Sequence, residues 1–515
     1  MLKQLSGLDA VFLYMENANS FGHVSSLSVY ETPNPGYKPY EAFLDQIQAR
    51  LSDLEPFRRR LVAVPFDLDH PYWINDPNFD LDFHVRHIAL PAPGNSEQLG
   101  LQVSRIIGRP MDRAHPLWET YVFEGLENGD FAILTKVHHS TIDGAAGVEL
   151  LTMLLDAHPD APAYHPATHD WVADAVPSDL EILGRTLSNF VRQPARLVRF
   201  QTRMVRDFAA MTRSNGLGQV AGAVQGLARI LVPSRSRGAE RDAAPDAPSR
   251  SAPATPFNKS ITAHRRFAFR SVPLDDIKTI KLALGCTVND VVMAVCAGAL
   301  RRYLLAHDAL PGDPLISMVP VSIRTGDEAD KWSNRVSGLF CALPTNEADP
   351  RERITKVHQS MMDAKGQFDL IPAEMIVEIA QMAPPALATR AMRMASRLRI
   401  SDRMNPPVNL VISNVPGPRA ALYLAGAKLK HYYPVSTVTD GQGLNITVQS
   451  YLDTLDFGLV SCRELVPDLW DLVDYCVDEV NALVALVSPQ KPKAAKATSG
   501  TAESKKKSTP RKAIR

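Results

Sequence analysis

The residues most able to do chemistry lie in the stretch VHHSTIDGAAG at 137–147, where His138 and His139 stand side by side and Asp143 follows. Imidazole titrates near neutral pH and is the side chain most often used as a general base. Neighbouring side chains on an extended backbone point to opposite faces, so only one of the two rings needs to face a substrate. Asp143 could orient that ring or the loop that carries it.

Two other interpretations of the same spacing remain open. In a purely structural one, Asp143 caps a following helix while Gly144 lets the chain turn. In the other, the stretch binds a metal, since histidine and aspartate are both metal ligands. A closed metal site needs about four ligands, however, and the sequence contains no CxxC pair. We therefore favour a general base and expect no metal.

The histidine pair is expected in a loop between a strand and a helix. The apolar run FAILTKV at 131–137 is bounded by ENGD and is typical of a strand, whereas GAAGVELLTMLLD at 144–156 has apolar residues at helical spacing. Such a loop presents side chains into a crevice on a rigid scaffold. In the second half of the chain we predict, in order, a long buried helix, two strands, a hairpin and a closing amphipathic helix, at 288–307, 314–324, 409–417, 444–462 and 468–487.

Composition bounds the class of protein. The chain has 515 residues, of which 45% are hydrophobic, so it is long enough for roughly two to four domains. A formal net charge of zero does not favour a nucleic-acid partner. The five cysteines are scattered, which indicates a reducing compartment. Charges interrupt the apolar N-terminal stretch and no uncharged apolar run of about 18 residues occurs, so we expect neither a signal peptide nor a transmembrane helix and place the protein in the cytoplasm.

Two segments of biased composition divide the chain. Residues 233–256 consist largely of Pro, Ala, Ser and charged residues and predict a disordered linker, and residues 489–515 predict a disordered basic tail. The expected organisation is an N-terminal lobe at 1–180, a basic helical connector at 181–232, the linker, a C-terminal lobe at 257–488 and the tail. Because both lobes mix strand and helix signals, the fold class is α/β or α+β.

The connector carries a regular series of arginines that would share one face of a helix: Arg192, Arg196, Arg199, Arg203 and Arg206. Such a face could contact an anionic lipid surface, or it could simply be solvated. The segment RAMRMASRLR at 390–399 is a second candidate for contact with lipid.

Several motifs together carry a resemblance to a known family. HHSTIDG matches the HHxxxDG signature of the acyltransferase superfamily that includes chloramphenicol acetyltransferase, carnitine acyltransferases and peptide-synthetase condensation domains. More specifically, the chain resembles the bacterial wax ester synthase/diacylglycerol acyltransferase family. The supporting stretches span nearly the whole chain outside the linker and the tail: LSGLDAVFLYMEN, PFRRRL, HPLWE, TVNDVVMAVCAGALRRYL, MVPVSIR, SNVPGPR and GLNITVQSYLDTLDFGLVSCRELVPD.

The resemblance implies two similar α/β lobes, each like a chloramphenicol acetyltransferase subunit, with a tunnel between them and the HHxxxDG loop midway along it. By motif position it implies that His139 is the general base, that His138 supports it and that Asp143 holds the loop. Asp456–Gly458 resembles the DFG part of a superfamily motif, but Leu459 follows in place of the usual Trp, so we interpret that stretch as structural.

Five further residues are candidates for substrate binding because they match the family's PLW and ND elements: Pro116, Leu117, Trp118, Asn289 and Asp290. A packing corner and a helix cap explain the same two stretches without any ligand. The oxyanion of an acyl transfer also needs a hydrogen-bond donor, and the sequence does not choose among Ser322, Asn334 and Ser413. Cys286 and Cys296 are expected in the core and not as nucleophiles.

The implied activity is O-acylation by acyl-CoA, with no cofactor besides that co-substrate. His139 would accept the proton of an acceptor hydroxyl as its oxygen attacks the thioester, so no covalent acyl-enzyme is required. Expected acceptors are diacylglycerol and long-chain alcohols, met at a membrane or lipid-body surface that the protein touches without crossing. Two alternatives are a catalytically weak lipid-binding or lipid-body protein of the same fold, and a condensation-type enzyme that uses carrier-protein thioesters. Acceptor preference, acyl length and oligomeric state have no signal in the sequence.

Overall fold

Two six-stranded sheets organise the protein, and a small three-stranded sheet lies beside the first. A computed structural model describes residues 2–142, 144–165, 171–189, 252–322, 336–368 and 385–488. The tail at 489–515, residues 190–232 of the connector and residues 233–251 of the linker lie outside this range. Mixed strands and helices in two sheet-based layers confirm the predicted α/β class.

The helices with assigned bounds are α1 Gly7–Tyr14, α2 Pro39–Arg50, α3 Glu55–Arg58, α4 Leu81–His84, α5 Ser96–Ile107, α6 Gly144–Leu154, α7 Leu274–Leu284, α8 Val288–Ala306, α9 Pro350–Phe368, α10 Pro385–Arg397 and α11 Leu469–Val487. Short 3-10 turns occupy Pro65–Asp67 and Ile400–Asp402, and residues 179–189 are also helical.

The strands are β1 Lys3–Gln4, β2 His23–Tyr30, β3 Arg59–Val62, β4 Tyr72–Asn75, β5 Val85–Ala89, β6 Trp118–Glu124, β7 Phe131–His138, β8 Arg265–Pro273, β9 Leu315–Ser322, β10 Val336–Leu343, β11 Leu410–Val415, β12 Tyr423–Leu424, β13 Ala427–Val435, β14 Leu444–Tyr451 and β15 Thr454–Cys462.

The first sheet has the order β12-β13-β2-β7-β6-β5, and the second has the order β10-β9-β11-β14-β15-β8. In the first sheet only β5 and β6 pair in parallel, whereas in the second β11 runs parallel to both β9 and β14. The predicted hairpin is confirmed, because β14 and β15 pair antiparallel along their whole length.

The first sheet is completed by strands from the far end of the chain. β13 pairs antiparallel with β2, so that Ser26 lies opposite Pro434 and Leu27 lies opposite Tyr433. Residues of the expected C-terminal lobe at 257–488 therefore belong to the N-terminal sheet, and the two sheets do not correspond to two separate stretches of sequence. Residues 252–256, expected in the disordered linker, are described, and Ala252 donates its N–H to the carbonyl oxygen of Pro406 at 3.1 Å.

The core of the second half forms around α8, as predicted from its apolar sequence. Thr287 and Asp290 form a reciprocal capping box at its start, which satisfies two otherwise unpaired amides. Its buried residues pack with α7, α9 and α11 against one face of the second sheet. Among the described residues no single helix is both long and apolar enough to cross a membrane, although the bent pair α7 and α8 together passes that test by length and composition.

Candidate active site

Strand β7 determines which of the two histidines reaches the interior. Ile133, Thr135 and Val137 line an internal cavity, and the intervening residues Leu134 and Lys136 are buried on the opposite face of the sheet. The ladder continues one residue past the strand, since His139 donates its N–H to the carbonyl oxygen of Gly22 at 2.8 Å. Strand alternation therefore turns His139 toward the cavity.

The cavity has a volume of about 520 Å³ and lies between the two sheets, with α6 as its cover. Strands β2, β7 and β13 of the first sheet contribute to its wall, and so do β9, β11 and β14 of the second. One part of the wall is apolar: Tyr30, Phe43, Ile133, Leu150, Leu151 and Leu154. Another part carries polar side chains: Ser26, Ser28, Thr135, Ser413, Thr447 and Gln449. A ligand here would meet both kinds of surface.

His138 is held in the opposite direction and is only 1% exposed. Its Nδ1 accepts the backbone N–H of Ser140 at 3.1 Å, and the Ser140 hydroxyl lies 2.7 Å from the same atom. A ring nitrogen that accepts an N–H carries no proton, so the neutral ring is protonated on Nε2. Nε2 lies 3.3 Å from Oε1 of Glu16, to which it donates. The contacts of His138 are thus structural ones.

Glu16 is the polar partner that fixes His138. Its Oε1 also accepts the N–H of Gly22 at 2.8 Å, and its Oε2 accepts from Arg113 Nη2 at 2.5 Å. Burial by itself would raise the pKa of Glu16, but the hydrogen bond from His138 and the positive charge of Arg113 hold that pKa well below its ordinary value. Glu16 therefore remains a carboxylate and orients the ring beside it.

The ring of His139 is fixed by stacking. The Phe12 ring on α1 lies parallel to it, with 3.9 Å between ring centroids and 5° between the planes. Gly22 makes this packing possible, because a Cβ there would lie 2.5 Å from the carbonyl oxygen of Phe12 and 2.7 Å from Nε2 of His138. A positioned, half-buried imidazole on a cavity wall can accept a proton from a ligand inside.

Comparison with known proteins assigns the family. The catalytic-domain model of the wax ester synthase/diacylglycerol acyltransferase family matches residues 5–292, and the model of its C-terminal domain matches residues 332–484. The chain belongs to the wax ester synthase/diacylglycerol acyltransferase family. It is an O-acyltransferase of that family, and the predicted membership is confirmed.

Individual relatives in the family cover almost the whole chain. A protein of Mycobacterium tuberculosis named as a diacylglycerol O-acyltransferase is 36% identical over 476 residues, which are 92% of this chain and 88% of the relative. The O-acyltransferase WSD of Acinetobacter baylyi is 33% identical over 493 residues, 95% of this chain and 98% of its own. The solved wax ester synthase/diacylglycerol acyltransferase of Marinobacter aquaeolei superimposes with a TM-score of 0.64 at 30% identity, over 94% of this chain and 99% of that one. This match confirms the predicted fold.

The family's PLW element lies beneath the histidine loop and does not line the described cavity. Leu117 accepts the backbone N–H of His138 at 2.9 Å through its carbonyl oxygen. Trp118 is fully buried, stacks between Phe57 and His84, and donates its indole N–H to the carbonyl oxygen of Phe57 at 2.9 Å. The structure thus gives Leu117 and Trp118 a packing role, and Pro116 precedes them at the start of β6.

The ND element caps α8 and is likewise absent from the described wall of the cavity. Asp290 accepts the N–H of Thr287 at 2.9 Å through Oδ2, and the same oxygen lies 2.7 Å from Nδ1 of His358. The amide of Asn289 contacts the sulfur of Met361 at 4.0 Å. The structure therefore does not bring Asn289 or Asp290 together with His139 at one surface.

The remaining predicted residues have different outcomes. Asp143 and Asn334 lie outside the described residues, as does the side chain of Ser322. Of the three oxyanion candidates, Ser413 is the one found on the cavity wall. Cys296 is fully buried, and burial raises the pKa of its thiol to about 12, so it is a core residue as predicted. The described residues contain no group of three His, Cys, Asp or Glu side chains able to hold a metal ion.

The sequence did not single out three residues that hold the histidines, namely Phe12, Glu16 and Gly22. Phe12 and Glu16 lie in LSGLDAVFLYMEN, and Gly22 follows five residues after its end. That stretch contributed to the family resemblance but has no spacing that indicates chemistry. Their contacts with residues 138 and 139 cross more than 110 positions of sequence, a separation over which periodicity gives no information.

Proposed function

We propose that this protein transfers a fatty acyl group from acyl-CoA to the hydroxyl of diacylglycerol, which yields triacylglycerol, and to long-chain alcohols, which yields wax esters. One observation carries the proposal: His139 faces a cavity of about 520 Å³ with apolar and polar walls, while the adjacent His138 is turned away into a fixed network. Relatives named as diacylglycerol O-acyltransferase and as wax ester synthase support both acceptor classes.

The chemistry is direct transfer with His139 as the general base. The acceptor hydroxyl oxygen attacks the thioester carbonyl carbon while the imidazole of His139 accepts the hydroxyl proton. A new C–O bond forms, the C–S bond then breaks, and the imidazolium returns the proton to the departing thiolate, so that ester and free CoA are the products. Proton transfer by a positioned base contributes about 10²–10⁴-fold to the rate, and holding both reactants together in one cavity adds a proximity term.

The other histidine contributes through position alone. The hydrogen bond from His138 to Glu16 and that from Ser140 to His138 fix the backbone on both sides of His139. Phe12 then limits rotation of the base. A base held in one orientation loses less entropy on reaching the transition state, which is why its supporting contacts matter for rate.

The exposed face of α10 is the proposed contact with a lipid surface. Its three arginines, Arg390, Arg393 and Arg397, are exposed and recur at helical spacing. Met394 and Leu398 lie beside them and are 56% and 52% exposed. Exposed apolar side chains flanked by cations suit the boundary between acyl chains and anionic headgroups. The connector arginines from Arg192 to Arg206, the other predicted contact, lie outside the described residues.

The position of α10 connects this face to the site. α10 packs against α1 and against the 3-10 turn at Pro65–Asp67, where Phe66 is 82% exposed. α1 in turn carries Phe12, which stacks on His139. A lipid surface at α10 would therefore lie one helix away from the proposed base, which suits acceptors that reside in lipid.

A turnover assay tests the proposed function. Purified protein is incubated with palmitoyl-CoA and either dioleoylglycerol or hexadecanol, and free CoA and the lipid product are both measured. We expect CoA release to be matched by triacylglycerol with the first acceptor and by palmitoyl-hexadecanol ester with the second. Binding of the lipids without CoA release under either condition would favour the lipid-binding alternative and contradict the proposal.

A further inference from the structure

We propose that the cavity beside His139 measures the length of one fatty chain. The reacting carbon of that chain lies at His139, and the chain stops at the closed end of the cavity. Tyr30, Phe43 and Leu154 form this closed end, and Gly147 keeps the space before it open. The inference rests on the acyl transfer proposed above and adds the chain length that the site accepts. The ligand chemistry is that of an unbranched saturated hydrocarbon, carried by the thioester or by the acceptor.

Strand β7 gives a first measure of the distance from the proposed base to the closed end. Its alternate residues line the cavity from His139 back to Ile133. The next pair along the sheet in that direction is Tyr30 with Phe131, and Tyr30 still lines the cavity. The six residues from Ile133 to His139 span about 20 Å at about 3.3 Å per residue. The cavity therefore extends about 20 Å along the sheet.

Helix α6 gives a second measure, because it returns over the sheet from the histidine loop. Just after α6, Asp156 forms a bridge with Tyr423, and Tyr423 pairs with Lys428. The carbonyl oxygen of Lys428 accepts the N–H of Glu31, the residue that follows Tyr30. The end of α6 is thus placed beside the Tyr30 end of the cavity. From its first residue to its last, α6 rises about 15 Å at about 1.5 Å per residue.

The far end of the cavity is closed by packed side chains. Tyr30, Phe43 and Leu154 line it and are only 2%, 1% and 6% exposed. Behind Tyr30 the ring of Phe131 stacks on it, with 5.1 Å between the ring centroids. Gln46, one turn after Phe43 on α2, donates its side-chain amide to the carbonyl oxygen of Leu154 at 3.1 Å. This bond fixes α2 across the end of α6, where it acts as a stop.

The walls of this part of the cavity suit a hydrocarbon. α6 presents apolar side chains to it, among them Leu150. On the sheet side, Ser28 is hydrogen-bonded to the phenol of Tyr30, and Ser26 to the phenol of Tyr432. Because these hydroxyl groups have partners within the protein, an alkyl chain that displaces water does not leave them unpaired.

The two measures convert into a number of carbons. An extended saturated chain advances about 1.3 Å per carbon by ordinary covalent geometry, so about 15–20 Å holds roughly 12–16 carbons. A longer chain would have to bend or leave its last carbons outside the apolar part. We therefore expect the measured chain to be accepted best at about 12–16 carbons.

Gly147 lies on α6 about 10 Å before the closed end, since it precedes Leu154 by seven residues. Gly147 lines the cavity, and among the described residues a Cβ there would meet only Cδ1 of Ile142, at 4.0 Å. Glycine weakens a helix interior, and none of these described neighbours is close enough to require it. A larger side chain would therefore extend into the space for the chain and remove about 10 Å, or roughly eight carbons.

The test compares two series of chain lengths. In the first series, octanoyl-, lauroyl-, palmitoyl- and arachidoyl-CoA are each combined with hexadecanol. In the second, palmitoyl-CoA is combined with octanol, dodecanol, hexadecanol and eicosanol. CoA release gives kcat/KM for the wild type, for Gly147→Leu and for Leu154→Ala. Gly366→Leu is the matched control, because this glycine also lies in a helix, is exposed, and a Cβ there would meet nothing within 4 Å.

The two variants should shift chain-length preference in opposite directions. In one series, Gly147→Leu should lower kcat/KM for the palmitoyl or hexadecyl chain relative to the eight-carbon chain by about tenfold or more. In the same series, Leu154→Ala should raise the value for the longest chain relative to the palmitoyl or hexadecyl chain by about tenfold. Gly366→Leu should change neither ratio. A shift in the first series assigns the measured chain to the thioester, and a shift in the second assigns it to the acceptor.

Unchanged length ratios in both series, or equal shifts in both, would overturn the inference. A variant that merely folds poorly loses rate by the same factor at every length, so the ratios separate that effect from a change in cavity length. If one variant does not fold, the opposite shift expected of the other still tests the inference. Wild-type turnover is established first, so failure of the proposed function is recognised by inactive wild-type protein, and failure of the inference by unshifted ratios in an active variant.

Discussion

At the scale of single residues, the site depends on a division of roles between two neighbouring histidines. His138 is buried and bonded to Ser140 and Glu16, whereas His139 faces the cavity and stacks on Phe12. The division follows from strand alternation, because the backbone hydrogen bonds of β7 continue through both residues. Of these two rings, the one that lines the cavity is therefore that of His139, which suits the proton transfer proposed for it.

Glu16 provides a pH-dependent test of this arrangement. Because the pKa of Glu16 is held below its ordinary value of 4.5 in the folded protein, its carboxylate stabilises the fold above that pH. The contribution is lost as the pH falls through the folded-state pKa. Glu16→Gln should lower the free energy of unfolding by about 1–3 kcal/mol at neutral pH, and its difference from the wild type should shrink below about pH 4.5.

Urea unfolding at a series of pH values measures the effect of Glu16→Gln. Glu41→Gln, which alters an exposed ion pair with Lys38, is the control and should change stability by less than about 0.5 kcal/mol. A difference between Glu16→Gln and the wild type that stayed constant from pH 7 to acid would contradict the assigned role of the carboxylate.

At the scale of elements, the cavity depends on a contact between the two sheets. β13 belongs to the first sheet, yet it packs on β15 of the second, and Asp456 bonds the backbone of Tyr432 across the junction. Gly458 allows the approach, because a Cβ there would overlap the carbonyl oxygen of Pro434. The DFG stretch is thus structural, as its departure from the superfamily motif indicated.

A single methyl group at this junction should separate the sheets. Gly458→Ala forces β13 away from β15, and overpacking of this kind costs about 1–3 kcal/mol or more of stability. Because Pro434 also lines the cavity, the rate of acyl transfer should fall together with the stability. Urea unfolding and the CoA-release assay measure both effects against Gly312→Ala, whose added Cβ meets nothing within 4 Å. Wild-type stability of Gly458→Ala would show that the close approach is unimportant.

Individual strands and helices could be predicted from the sequence, whereas the pairing of distant strands could not. Strand β7, helix α8 and the β14–β15 hairpin were predicted from local periodicity and turn residues, which act over a few positions. The pairing of β13 with β2 joins residues about 400 positions apart, and no local pattern encodes such a partner. His139 was predicted as the base because its motif is local in the sequence. Phe12 and Glu16, which hold the two rings, were not predicted, because they contact those rings across more than 110 positions of sequence.

At the scale of the whole molecule, the proposed lipid face gives the protein a defined orientation. The exposed side of α10 carries cations beside apolar side chains, although the whole chain has no net charge. An attraction confined to one face would orient the protein without holding it irreversibly, since each Lys or Arg near an anionic surface contributes about 1 kcal/mol.

Charge reversal on α10 tests the orientation. The triple substitution Arg390→Glu, Arg393→Glu and Arg397→Glu should abolish co-sedimentation with vesicles that contain anionic phospholipid, and binding of the wild type should weaken as salt is added. Reversal of three exposed cations elsewhere, Lys38, Arg105 and Lys428, is the control and should leave binding largely intact. Equal binding by both triple variants would contradict the assigned face.

The most direct test of the central claim is the rate of CoA release by His139→Ala with palmitoyl-CoA and dioleoylglycerol, measured beside the wild type. Because the claim assigns proton acceptance to this imidazole, kcat should fall by at least about 10²-fold while the midpoint of thermal unfolding stays within a few degrees of the wild-type value. A folded His139→Ala variant that released CoA at the wild-type rate would contradict the account.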